Sequence, residues 1–395
     1  AVAPMFWSIY YLVSIDGNAV LVLASDIIQA FGNFGVSLVL VQKIGIKGLA
    51  YGSIISVIMS WLILIPHFFS KKNSIHFKLS LSWKRIKTVM LSGSTIAMTS
   101  VYIGIVDIVF NKFILVKFGD PLLASYAIIN LILNLAQISG CASDAASGFI
   151  GTYYAEGNPV SMKKILRMII KVMFVVSGLL MILFFIFAKF APVVYGIENL
   201  QAYEATIYSA KVLALSYIPS AFIFMYLSYL PKIEKPALGN LAGFLYSLAT
   251  PIAIALPLGC ISYNAMSWGF FLTPVVSLVI VGLIILKKYG KGNFPYPIPE
   301  TNAQKIFNYE FAATNEEVST VKDLILDELK ASGVDESISN KLAMMVEESF
   351  MVVKLENEKK DPKRKVLCDA TVMIYEDKVV LITRDNGVIF DITQV

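Results

Sequence analysis

Long apolar runs separated by short polar segments fill the first three quarters of the chain. A helix needs about 20 mainly apolar residues to cross the hydrocarbon core of a bilayer. Gly and Pro within several runs are compatible with this, because membrane helices tolerate both. The pattern predicts an all-α polytopic membrane bundle of about nine helices, at 3–14, 18–41, 47–69, 88–116, 121–150, 166–189, 205–230, 238–257 and 264–286.

The pattern changes after the last apolar run. Residues 291–300 (KGNFPYPIPE) contain three prolines and, with Gly290, two glycines, which predicts a linker over 291–302. Short amphipathic elements follow, in the order strand, helix, helix, strand, strand, which predicts a small α+β sandwich with helices on one face of a sheet. The predicted elements are Lys305–Ala312, Asn315–Ser332, Asp335–Glu356, Val366–Tyr375 and Lys378–Thr383, the last two forming a hairpin.

Composition and charge agree with this division. The chain is 57% hydrophobic and 15% charged, with a mean hydropathy of +0.70, whereas soluble domains are about 25% charged. Every second loop is basic, and basic loops face the cytosol, so we expect a cytosolic C-terminal domain and no nucleic-acid partner for the net charge of +5. The basic residues are Lys71, Lys72, Lys78, Lys84, Arg85, Lys87, Lys163, Lys164, Arg167, Lys171, Lys232, Lys235, Lys287, Lys288 and Lys291.

Five regions result. We expect the end of a first helix bundle at 1–69, a basic cytosolic loop at 70–87, a complete second bundle at 88–290, the linker at 291–302 and the cytosolic domain at 303–395. The chain opens inside an apolar run without a basic leader, so we expect further helices before it. Three widely separated cysteines, Cys141, Cys260 and Cys368, predict buried thiols and neither a disulfide nor a metal site.

Polar groups inside the apolar runs are the first candidates for function, because charge at bilayer depth is costly. Asp107 lies midway along the fourth run, with Asn111 one helical turn further. Asn130, Asn134 and Gln137 form a polar stripe on the next run. Asp107 could bind a coupling cation or be a hydrogen-bonded structural residue, and the stripe could line an aqueous cavity or join two helices.

Several segments of residues 1–290 resemble the multidrug and toxic compound extrusion (MATE) family. They are Tyr11–Asn18 (YLVSIDGN), Lys43–Ala50 (KIGIKGLA), Phe118–Tyr126, Phe149–Asn158 (FIGTYYAEGN) and Tyr229–Gly239 (YLPKIEKPALG). The resemblance implies two six-helix bundles, alternating access across a central cleft, and export coupled to Na⁺ or H⁺. It matches Asp107 to a coupling acid in helix seven. The acid that some members carry in helix ten has no counterpart at 205–230, where the charge is Lys211.

The C-terminal domain resembles the GHKL ATP-binding fold in its anti-sigma-factor variety. The resemblance rests on Lys341–Val353 and Thr383–Asp391, and it implies a degenerate nucleotide site at Glu348, Asp385 and Gly387. Val352 stands where the family has a magnesium-binding Asn, and valine cannot ligate a hard cation. We also expect the glycine-rich lid to be absent. A regulatory or docking module is the preferred interpretation, with ATP and magnesium binding as the alternative.

These observations predict a transporter rather than an enzyme: export of small cationic or amphiphilic compounds at a bacterial inner membrane. The predicted partners are the lipid bilayer, a small-molecule substrate and a cytosolic protein for the C-terminal domain. A lipid-linked oligosaccharide flippase is the first alternative. A membrane sensor kinase is the second, and it needs a phosphoacceptor histidine before the ATP domain, whereas His67 and His76 lie far upstream. A nonenzymatic membrane sensor is the third, and the polar stripe argues against it.

Overall fold

The computed structural model describes residues 9–14, 16–70, 73, 82–298 and 301–388, with the side chains at 92, 96 and 139 excepted. The chain divides into two compact units, which we call the hairpin unit (up to Thr88) and the bundle unit (from Val89).

The hairpin unit is built on two antiparallel helices, α1 (Ala19–Ile44) and α2 (Lys47–Leu64), followed by a 3₁₀ turn at Ile65–Phe69. Gly45 forms the turn between them with a φ of 64°. Small residues let the two backbones approach closely. A Cβ atom on Gly48 would lie 2.5 Å from the backbone of Leu40, so only glycine fits there.

The bundle unit contains most of the helices. They are α3 (Trp83–Phe118), α4 (Asp120–Leu135), α5 (Cys141–Ala145), α6 (Ser147–Ala155), α7 (Pro159–Phe187), α8 (Ala191–Val194), α9 (Leu200–Ala214), α10 (Tyr217–Lys232), α11 (Pro236–Phe244), α12 (Leu256–Ile261) and α13 (Tyr263–Tyr289). Turns of 3₁₀ helix follow α4 and α7, at Ala136–Gly140 and Ala188–Phe190, and two π-helical stretches, Leu245–Ala249 and Pro251–Ala255, lie between α11 and α12.

Local sequence fixes where these helices begin. Asn158, Asn199 and Ser262 each precede a helix, and their side-chain oxygens accept a hydrogen bond from a backbone N–H of the first turn. Pro159 occupies the first position of α7, where its missing N–H costs nothing. Gly119, with a φ of 83°, makes the tight turn from α3 to α4.

Six helices in the described residues are long and apolar enough to cross a membrane, or seven if the bent pair α9 and α10 is one span. These seven match seven of the nine predicted spans. The predicted span at 3–14 lies partly outside the described residues, where a helix is seen at 9–14. The predicted span at 88–116 forms part of the 36-residue helix α3, which is not among the six.

Part of the predicted linker packs against α10. Tyr296 is 3% exposed and lies against the rings of Tyr226 and Tyr229 on α10. The Tyr226 hydroxyl donates to the Pro295 carbonyl at 3.0 Å, and the Tyr229 hydroxyl donates to the Pro297 carbonyl. We call residues 291–298 the strap. Prolines suit it because they leave no N–H to satisfy while their carbonyls accept from buried hydroxyls.

The C-terminal domain has the predicted element order. Three antiparallel strands, β1 (Lys305–Ala312), β2 (Leu367–Ile374) and β3 (Val379–Asp385), form a sheet in that order, and α14 (Asn315–Ala331) and α15 (Glu336–Lys360) separate β1 from β2. Side chains of the two helices and of one sheet face form its core, among them Phe311, Ile325, Phe350 and Val372.

One end of the other face of this sheet is polar, and we call that end the polar face. Glu310, Asp369 and Arg384 form one cross-strand row there, and Asn308 and Thr371 form the next together with Ile382, whereas Ile306, Met373 and Val380 form an apolar row further along. Because successive side chains on a strand point to opposite faces, the alternation that predicts the strands also separates this polar face from the core. The α+β prediction is confirmed in its element order, and the GHKL assignment stays a prediction.

Candidate functional site

A cavity of about 80 Å³ lies within the bundle unit. Five helical segments contribute to its wall: α3, α4 with its following turn, α10, the π-helical stretches and α13. The lining residues are Ile103, Val106, Asp107, Tyr126, Asn130, Leu133, Asn134, Gln137, Ser220, Phe224, Tyr246, Ser247, Pro251, Phe270, Thr273 and Pro274. Aromatic and aliphatic side chains provide most of the surface, and a few polar groups converge on it, which is typical of a small-molecule site.

Asp107 is the charged residue of this lining in the described part of the chain. Its Oδ1 accepts a hydrogen bond from Asn130 Nδ2 at 3.0 Å. A carboxylate has about four acceptor positions, so this bond leaves capacity for a proton, a cation or a further donor. The pair therefore provides both a negative charge and an amide that orients it.

The polar stripe continues along the same wall. Gln137 Nε2 donates to Asn134 Oδ1 at 3.3 Å, and both residues line the cavity together with Asn130. The stripe passes from α4 into the 3₁₀ turn at Ala136–Gly140 without leaving the wall. Asn130, Asn134 and Gln137 thus all line a cavity, which is one of the two interpretations that the sequence left open.

Asn111 lies elsewhere. It is exposed and is not among the cavity-lining residues that the structure describes. The residues on either side of it along the helix, Phe110 and Ile114, are fully buried in the core. The described cavity wall therefore contains Asp107 and not Asn111, although the two residues lie one helical turn apart.

Interrupted helices form the rest of the wall. Pro251 begins the second π-helical stretch, Pro274 lies inside α13, and α9 and α10 meet at an angle of 57°. Such interruptions free backbone groups at membrane depth, and they are tolerated where they border a cavity. Thr250, which lies between the two π-helical stretches, donates both its backbone N–H and its Oγ1 to the Leu245 carbonyl, the hydroxyl bond being 2.8 Å long.

Sequence reasoning missed the polar residues on these interrupted helices. Ser220, Ser247 and Thr273 all line the cavity. Single hydroxyl residues in an apolar run carry little signal of their own. The signal that could have found them is proline, because Pro219, Pro251 and Pro274 lie within one to four residues of them.

The predicted nucleotide residues lie at the end of the C-terminal sheet and on α15. Asp385 ends β3 and is exposed, and its Oδ1 accepts a hydrogen bond from the Gly387 N–H at 2.9 Å. A Cβ atom on Gly387 would lie 3.2 Å from a methyl of Val353 on α15. Glu348 is exposed on the same helix. The turn at Asp385–Gly387 thus lies against α15 at Val353, the residue after Val352. Residues 389–391 of the predicted motif lie outside the described residues.

The three cysteines are free. Cys368 is buried as predicted, but Cys141 and Cys260 are exposed, because they lie on outward-facing positions of α5 and α12. Burial, with a smaller effect of the Asp385 charge, raises the pKa of the Cys368 thiol to about 12. The described residues contain no group of three or more His, Cys, Asp or Glu side chains arranged to hold a metal ion.

The architecture is similar to that of solved MATE structures. A MATE protein in complex with MaL6 superposes with a TM-score of 0.61 at 15% identity, covering 69% of this chain and 63% of that one. The outward-facing conformation of a multidrug resistance MATE family transporter of the MOP superfamily gives 0.60 at 15% identity, covering 67% and 61%. The chain has a MATE-like fold.

A third MATE-like structure is a MOP superfamily transporter from Pyrococcus furiosus, which gives a TM-score of 0.60 at 15% identity and covers 68% of this chain and 63% of that one. That protein is described as having a binding pocket of reverse polarity, which suggests a different function for it.

In all three comparisons the chain spans less than two thirds of the length of the MATE-like structure. No protein-family model and no curated protein matches the sequence. The predicted MATE-like fold is confirmed.

Proposed function

We propose that the protein is a secondary active transporter that exports small cationic or amphiphilic compounds by alternating access, coupled to Na⁺ or H⁺, at a bacterial inner membrane. The observation that carries the proposal is the cavity at Asp107 and Asn130, inside a MATE-like fold. The wall is apolar enough to accept an amphiphile, and one carboxylate supplies its charge.

The sign of the cavity charge favours a cation. Asp107 is negative, and every other lining residue in the described part of the chain is neutral. In a partly buried site an unpaired carboxylate is costly, so a proton, a sodium ion or a cationic substrate stabilises it. Because these three compete for one carboxylate, binding of one releases another, and that exchange couples an ion gradient to export.

The flippase alternative stays open, because a cavity of about 80 Å³ is smaller than either class of substrate and must widen for transport in both cases. The sensor-kinase alternative fits less well. A sensor kinase requires an accessible phosphoacceptor histidine, but His67 is fully buried and its Nε2 lies 2.7 Å from an oxygen of Asp16. Val352 at the position of the magnesium ligand also favours a C-terminal domain without ATPase activity.

The test is transport by the full-length protein in proteoliposomes. Cationic dyes are followed under an imposed Na⁺ or H⁺ gradient, with Asp107→Asn as the variant and Glu198→Gln, an exposed carboxylate between α8 and α9, as the matched control. We expect the gradient-driven dye flux to be lost in Asp107→Asn and kept in the control. Undiminished flux in Asp107→Asn would remove the carboxylate from the mechanism, and absence of flux for every dye in the unaltered protein would refute the proposal.

The C-terminal domain needs a separate measurement. We expect titration of the full-length protein with ATP and Mg²⁺ to show no magnesium-dependent binding. Tight binding that requires magnesium would instead support an active GHKL site at Glu348, Asp385 and Gly387.

A further inference from the structure

The polar face of the C-terminal sheet rests on the turn between α6 and α7. Arg384 of β3 makes the central contact: Nη2 donates to the Glu156 carboxylate, and Nη1 donates to Asp369 Oδ1 at 2.8 Å. Its guanidinium group also lies 5.0 Å from the ring centre of Tyr153. One arginine thus joins a carboxylate of the turn to a carboxylate of the sheet, and it stacks on an aromatic ring of α6.

Two further contacts surround this arginine. Lys164 on α7 forms an ion pair with Glu310 of β1. Asn158, which caps α7, donates to Thr371 Oγ1 of β2 at 3.5 Å, and both residues are fully buried. We call these contacts, centred on Arg384 and Glu156, the clamp. They involve all three strands of the sheet.

The charges of the clamp interact more strongly than those of an ordinary surface ion pair. The side chains of Arg384, Glu156 and Asp369 are 26%, 21% and 22% exposed, so solvent screens them only in part. Burial acts to lower the pKa of Arg384, but the hydrogen bond to Glu156 and the two carboxylate charges raise it above its ordinary value. The arginine therefore stays charged, and losing one partner would leave a half-buried charge unpaired.

The strap attaches the same domain at a second place. Tyr226 and Tyr229, which hold the strap, lie on α10, and Ser220 and Phe224 of α10 line the cavity. The C-terminal domain is consequently fixed both to α10 and to the α6–α7 turn. A rearrangement that moves the α6–α7 turn away from the sheet must break the clamp.

We propose that the C-terminal domain regulates transport as a built-in brake, whose docking partner is the α6–α7 turn of the same chain. A contact made in one conformation and broken in another lowers the population of the second. The clamp therefore stabilises the arrangement described here, and its release speeds the exchange that opens the cavity. The effect on transport rests on the proposed function, whereas docking and cavity opening are measurable without it.

Docking is tested by cross-linking in the full-length protein with Cys141, Cys260 and Cys368 replaced by alanine. Lys164→Cys with Glu310→Cys should be joined by a short bis-methanethiosulfonate reagent, which forms a reducible disulfide with each thiol and releases methanesulfinate. Lys164→Cys with Glu348→Cys is the control, because Glu348 lies in the helix layer on the opposite side of the sheet. Equal yields for the two pairs, or no product for the first, would overturn docking.

Braking is tested by the accessibility of the cavity. Ser220→Cys in the same background reports opening through its rate of reaction with a water-soluble maleimide, whatever compound is transported. We expect Arg384→Gln to raise this rate about fivefold, at the lower end of ordinary coupling between sites. The exposed arginine variant Arg364→Gln should leave the rate unchanged. In the Lys164→Cys, Glu310→Cys background, cross-linking should lower the rate of maleimide reaction at Ser220→Cys. Reduction of the cross-link should restore that rate.

A second variant separates release of the clamp from damage to the domain. Glu156→Gln lies outside the C-terminal domain and should also raise the rate, by no more than Arg384→Gln, which additionally loses the contact with Tyr153. The double variant should react no faster than Arg384→Gln alone, because Glu156 acts through that arginine. An unchanged or lower rate in both single variants would overturn the brake. If the dyes are not transported but these rates shift as expected, the proposed substrate class fails and the brake stands.

Discussion

Asn130 of α4 donates a hydrogen bond to Asp107 of α3, and the two residues, 23 positions apart, meet at the wall of one cavity. A carboxylate held by an amide keeps a defined orientation, and it binds a cation with less reorganisation than a free side chain. The pair is therefore the part of the site in which small changes should have the largest functional effect.

Replacing Asn130 with leucine should lower the apparent affinity of the transporter for its coupling cation. The variant removes the hydrogen bond to the Asp107 carboxylate, and bonds to charged groups contribute about 1.5–3 kcal/mol, so we expect a roughly tenfold or larger rise in the cation concentration for half-maximal flux. The control is Asn111→Leu, the same change at an exposed position of α3. Equal shifts in the two variants would contradict a specific role for Asn130.

Gly48→Ala should destabilise the hairpin unit. The new methyl group would lie 2.5 Å from backbone atoms of Leu40, and forcing α1 and α2 apart typically costs about 1–3 kcal/mol. Gly35→Ala is the matched control, because that position has no atom within 4 Å in the described residues and alanine favours the helix. Thermal unfolding in detergent should show a lower midpoint for Gly48→Ala alone. Identical midpoints for both variants would mean that the close packing is not required.

Tyr226 of α10 and Tyr296 of the strap should respond differently to loss of their hydroxyl groups. Tyr226→Phe leaves the Pro295 carbonyl without its donor and should cost about 1 kcal/mol. The Tyr296 hydroxyl is buried without a hydrogen-bond partner in the described part of the chain, so Tyr296→Phe should be neutral or stabilising. Limited proteolysis of the 291–302 segment, with thermal unfolding, measures both. Destabilisation of similar size in the two variants would contradict this hydrogen-bond assignment.

Cys368 should resist alkylation while the domain is folded. The thiolate is the reactive form, and burial raises the pKa of Cys368 to about 12, so at pH 8 about one thiol in ten thousand is ionised. Labelling with iodoacetamide, read by mass spectrometry, should be slow in the native protein and fast in denaturant. The protonated thiol stabilises the fold, so this contribution falls as the pH rises from about 9 towards 12. Rapid native labelling at pH 8 would show that the residue is not buried.

The sequence alone determined the course of the chain. Apolar runs long enough to span a bilayer predicted seven helical segments that the described residues contain. The alternation of residues 305–312 and 366–383 predicted the three strands and the hairpin. These features are local, because a helix or a strand is specified by residues a few positions apart.

Tertiary structure alone decided what these segments bring together. Helical spacing placed Asn111 one turn from Asp107, but Asn111 is exposed, and the hydrogen bond to Asp107 comes from Asn130 of the next helix. A proline-rich stretch predicted as a linker packs against α10 because Tyr226 and Tyr229 supply donors to its carbonyls. Arg384 and Glu156, 228 positions apart, have no signal in the sequence. Such contacts depend on which faces of the helices and of the sheet meet, and that is settled only when the whole chain packs.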